Sequence, residues 1–237
     1  APHTAGTAEE RLLAFIGGKS ESSLLMDAFN ILLEEDIFRT NPQALEKLTG
    51  WVNARDAGRQ PAAMYAMGSL LLAKDDLAGA VKMAEDGLSK YPQSLPVQTL
   101  SLNTITTLLD KNRVEDAERL ISKYPGTSPG LVFQQGALAF RKGDYPLAQS
   151  LFREAARRAS EKTAESALFN ENLAALNAND AAGAAALVKE AAGSAQLREH
   201  ILFEQAHYAA KRMNPQAPEL LASFVALATD PALKTQA

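Results

Sequence analysis

Apolar and small residues recur along this chain at helical spacing, in paired stripes. Between Pro61 and Pro92, Met64, Met67, Gly68 and Leu71 share one helix face, and Ala80, Ala84 and Gly87 share a face of a second helix. A small residue at Gly68, and another at Ala80 twelve positions on, lets two antiparallel helices approach closely. Pro92 closes the unit because it cannot continue a helix. The frame recurs as Gly136 with Ala148, followed by Phe152 and Ala155. It recurs again as Ile105 with Ala117, then Ile121, and as Asn172 with Ala184, then Val188 and Ala191. Two outer copies are looser, Leu32 with Ala44 and Gln205 with Ala217. They share a local match, since Asn41-Pro42-Gln43-Ala44 reappears as Asn214-Pro215-Gln216-Ala217. No alternation of β-branched residues is sustained, so strands are not expected.

The turns check this frame independently. A chain that reverses between paired helices within a few residues usually needs one residue in the left-handed region, where Gly, Asn and Asp are tolerated. The frame places Asp75, Asn112, Gly143 and Asn179 there. Asp76, Asp144 and Asp180 follow as N-caps of the second helices. Prolines fall mostly between helices, as at Pro61, Pro92, Pro96, Pro125 and Pro129, or in a first turn, as at Pro42, Pro146 and Pro215.

The stretch PAAMYAMGSLLLAKDDLAGAVKMAEDGLSKYP, from Pro61 to Pro92, resembles one tetratricopeptide repeat from end to end. Self-similarity of this period is the mark of a helical solenoid. The resemblance implies an all-α, right-handed α-solenoid of about six tetratricopeptide-like helix pairs. A short helix around Glu9 to Ile16 precedes them. The expected organisation is an N-terminal segment (1–20), one solenoid domain (21–229) and a C-terminal tail (230–237).

Composition narrows the function classes. The 237 residues suffice for a substantial core, and six repeats leave little room for a second domain. Net charge is −4, from 24 basic and 28 acidic residues, and no basic stripe stands out, which argues against nucleic acid. No apolar run approaches the ~20 residues of a membrane span. Cysteine is absent, which removes disulfides, thiolate metal sites and thiol chemistry. The start at Ala-Pro-His, not Met, reads as the mature end left by signal-peptide removal. That favours an exported, periplasmic bacterial protein working in envelope assembly or secretion; a truncated cytoplasmic chain is the alternative.

Candidate chemistry is sparse. Gly17-Gly18-Lys19-Ser20 ends like a phosphate-binding loop, but the glycine required five residues before Gly18 is Leu13. His3 follows Pro2, which has no amide hydrogen to give to a copper site. His200, Glu204 and His207 share a helix face and form the best metal candidate, a weak one, because three ligands on one helix fan along its axis. Glu115, Asp116 and Glu118 read as a solvated face. No catalytic constellation is evident, so an enzyme and a cofactor are not expected.

The resemblance implies a concave groove lined by the first helix of each pair. By register, one row is Tyr65, Leu102, Phe133 and Phe169, and a second is Leu72, Leu109, Phe140 and Leu176. Ser69, Thr106, Ala137 and Leu173 sit between them. Packing between repeats competes with partner binding at each aromatic, and Tyr65, Phe133, Phe140 and Phe169 are the foremost anchors for an apolar or amphipathic segment. The family's clamp for chaperone-tail carboxylates is not matched. Asn103 sits near one clamp asparagine, but the cationic positions hold Tyr65, Thr99, Gly130 and Gln134. The alanine-rich Ala178 to Ala192 reads as tight internal packing, with docking of another subunit, alike or different, as the alternative. The expected function is a protein–protein interaction scaffold or adaptor. The alternatives are a structural subunit with its groove permanently filled, and a small-ligand or metal-binding solenoid.

Overall fold

The structure, a computed structural model, describes residues 7–18 and 23–228. Among the described residues it is all helix: fourteen α-helices, one short 3-10 turn and no strand. The chain divides into two compact units, the first ending at Gly126 and the second beginning at Thr127. This boundary falls inside the stretch expected as one domain. Pro125, Gly126 at φ +80° and Pro129 interrupt the helices there.

The first unit contains α1 (Ala8–Gly18), α2 (Leu25–Glu34), α3 (Ile37–Thr40), α4 (Pro42–Asn53), α5 (Gln60–Ala73), α6 (Leu77–Lys90), α7 (Leu95–Asp110) and α8 (Val114–Lys123). The expected short N-terminal helix is α1. Its last turn holds Gly17 and Gly18, while Lys19 and Ser20, like His3, lie outside the described residues. Helix α5 has almost no polar face, and α2, α4, α6 and α7 all pack against it. Leu100 of α7 lies directly over Gly68, where an added Cβ would come within 2.3 Å of its Cδ1. Hence this anchor is glycine. The one-turn helix α3 was not legible in the repeat frame. It follows Asp36, at φ +59°, and buries Phe38 against Phe29, with centroids 6.3 Å apart.

The second unit contains α9 (Pro129–Arg141), α10 (Tyr145–Arg158), α11 (Glu161–Asn177), α12 (Ala181–Glu190), α13 (Ala195–Lys211) and α14 (Ala217–Leu227). Each first helix packs on its own partner and on the next first helix, α9 on α11 and α11 on α13. Gly136 again marks a close approach, here by Phe152 of α10.

All four expected turn residues occupy the left-handed region: Asp75 at φ +61°, Asn112 at +57°, Gly143 at +79° and Asn179 at +59°. In each turn the next amide returns to a carbonyl five residues back: Asp76 to Leu71, Arg113 to Leu108, Asp144 to Ala139 and Asp180 to Ala175. This bond satisfies an otherwise orphaned helix carbonyl. Asp76, Asp144 and Asp180 cap the helices that follow, accepting from Gly79, Leu147 and Gly183 N–H at 2.9, 3.2 and 2.9 Å.

The last turn shows the same Asn214-to-Ala209 bond, but the left-handed residue is Met213, at φ +53°. The register would place Arg212 there, so this turn is one residue longer. An unbranched L-residue in this region carries a penalty of about 1–2 kcal/mol. Met213 is 90% exposed, so it contributes little packing in return. Met213→Gly should therefore stabilise the protein by about 0.5–1 kcal/mol after glycine's own entropic cost. A thermal melt that shows equal or lower stability would count against strain at this turn.

Candidate functional site

The residues read as a groove sort into packed and open positions, described within each unit. In the first unit, Tyr65 is 9% exposed and Leu109 3% exposed, so both belong to the core. The Tyr65 hydroxyl donates to Asn30 Oδ1 at 2.8 Å, which ties α5 to α2. Helix α2 covers the position that the register assigns to a partner. Ser69, Leu72 and Leu102 are half-buried. Thr106 is exposed, with its hydroxyl turned back to the Leu102 carbonyl at 2.9 Å. Asn103 is exposed on the same helix.

In the second unit, Phe133, Phe140, Phe169, Leu173 and Leu176 are all half-buried. Phe133 meets Phe152 edge-on, with centroids 5.3 Å apart, and Phe140 meets Tyr145 in the same way at 5.3 Å. Those two rings take part in packing α9 onto α10 and the turn before it. Phe169 also packs, against Leu187, Leu197 and Ile201, and it faces a cleft as well. It stands on α11 at the wall of a cleft of about 350 Å³ shared with α13, beside Ser166, Leu197 and His200. Lys162, Glu165, Asn170 and Gln196 line the same cleft, so it sets two apolar side chains, Phe169 and Leu197, among polar and charged ones. Leu176 lines a smaller hollow of about 230 Å³ with Gln205, Arg212 and Leu220.

His200, Glu204 and His207 do not converge. Among the described residues no three His, Asp or Glu side chains are grouped to hold a metal. His200 Nδ1 lies 2.8 Å from the Gln196 carbonyl, and the His207 ring stacks on Phe203 at 6.1 Å. Their helix, α13, presents them at successive levels along its axis. In the alanine-rich segment, Ala184, Leu187 and Ala191 are buried while Ala181, Ala182 and Ala185 are exposed. The small side chain of Ala184 lets Gln205 reach its carbonyl at 2.7 Å.

The buried polar groups escaped the sequence reading. Gln205 Nε2 also donates to Asn172 Oδ1 at 2.8 Å, joining the anchor positions of two consecutive first helices. Glu171 has no exposed side-chain surface. Its Oε1 accepts from Arg153 Nε at 2.7 Å, and Arg153 Nη2 meets the same oxygen. Its Oε2 is buried without a partner. Burial pushes the Glu171 carboxyl above its ordinary range, and Arg153 opposes that without cancelling it. The available signal was Glu171 at the midpoint of the stripe Ala167, Glu171, Ala175.

No helix of the described residues is long and apolar enough to cross a membrane. No protein-family model matches the chain, and no curated protein matches it in sequence.

Proposed function

We propose that the protein is a non-enzymatic interaction scaffold or adaptor that captures an apolar or amphipathic segment of a partner protein on its first helices. What supports this above all is Phe169, a half-buried aromatic in a cleft of about 350 Å³ between α11 and α13. A large ring that is held by its own unit yet open on one side is the usual form of an anchor for a partner side chain. The charged side chains of Lys162 and Glu165 suit the polar face of an amphipathic segment. The repeat frame and its four left-handed turns add to the tetratricopeptide resemblance, whose members bind on this helix of each pair.

Affinity capture from the source organism after crosslinking tests it, with wild type beside Phe169→Ser and folding checked by circular dichroism. The expected result is a partner held by wild type and weakened about tenfold or more in the folded variant. Equal capture by both proteins would remove this cleft from the interaction.

A further inference from the structure

We draw no further inference here: the strongest candidate, the hollow of about 230 Å³ around Arg212 between α11, α12, α13 and α14, carries nothing, because Asp180 lines it together with that arginine, so its charges select no ligand, and the unpartnered Tyr208 hydroxyl is closed off from the space.

Discussion

Arg153→Met lowers the stability of the protein by about 3 kcal/mol, whereas Glu171→Gln changes it by less than about 1 kcal/mol. The asymmetry follows from where the two charges lie. The Glu171 side chain is fully enclosed, while that of Arg153 is 38% exposed. Removing Arg153 takes away the hydrogen-bonded counter-charge of the buried carboxylate and leaves only the weaker influence of Arg157, and Oε2 already has no partner. Removing the Glu171 charge leaves an arginine that water can reach. Breaking one side of a buried pair commonly costs about 3–5 kcal/mol; the lower end applies here because water can follow the space left by a side chain at the protein edge. Urea unfolding followed by circular dichroism reads both variants. Equal losses in the two would mean that the pair acts as an ordinary surface ion pair.

The same pair sets a pH dependence whose sign is fixed. The folded-state pKa of Glu171 is raised above its unfolded value, with burial as the main cause. Folding therefore favours the protonated form of this group. Its contribution is fully present below the unfolded value, about 4.3, and is lost as pH rises through the folded pKa. In the Glu171→Gln variant the neutral amide mimics the protonated carboxyl at every pH. The stability of Glu171→Gln relative to wild type should thus be lowest in acid and climb as pH rises above the ordinary carboxylate range and through the raised folded pKa. Glu85 acts in the opposite sense. Burial opposes its ionisation, but Lys123 and Arg119 together hold its carboxyl below the ordinary range. Its contribution is present at neutral pH and fades in acid, equally in both proteins, so it cancels in the difference.

Turn chemistry was the most legible part of the fold. Asp75, Asn112, Gly143 and Asn179 could be placed because the left-handed region penalises most other residues, so the requirement is visible in the residue itself. The capping aspartates were legible for the same local reason. Legibility failed where distant elements decide. Tyr65 and Phe169 hold the same register position, yet α2 covers Tyr65 and the cleft leaves Phe169 open. A periodic stripe marks the residues that face a neighbour, and it is silent on whether that neighbour belongs to the same chain. Glu171 failed for a related reason. Its partner, Arg153, lies 18 residues away on another helix, so nothing near it in sequence announces a buried pair. Met213 shows the limit of a fixed period: one extra residue moved the left-handed position from Arg212 to Met213, and neither is a residue that this region marks.

Gly68→Val lowers stability by about 2–3 kcal/mol, and Leu100→Ala restores part of that loss. An added Cβ at Gly68 would lie 2.3, 2.6 and 3.0 Å from Cδ1, Cδ2 and Cγ of Leu100. The far end of a leucine can often turn aside. Here Leu100 is fully buried, and Met64, one turn before Gly68 on the same face, is buried too, so the leucine has little room to turn aside. The strain must move α7 away from α5, which loosens the contact between consecutive first helices. Leu100→Ala alone should cost about 2–5 kcal/mol, because it opens a cavity beneath Gly68. Valine at position 68 would occupy part of that cavity. The double variant should therefore be more stable than the sum of the two losses by about 1 kcal/mol or more, a coupling expected only for residues in contact. Additive losses would mean that the two side chains do not meet, and with them would fall the register that sets Gly68 of one pair against the first helix of the next.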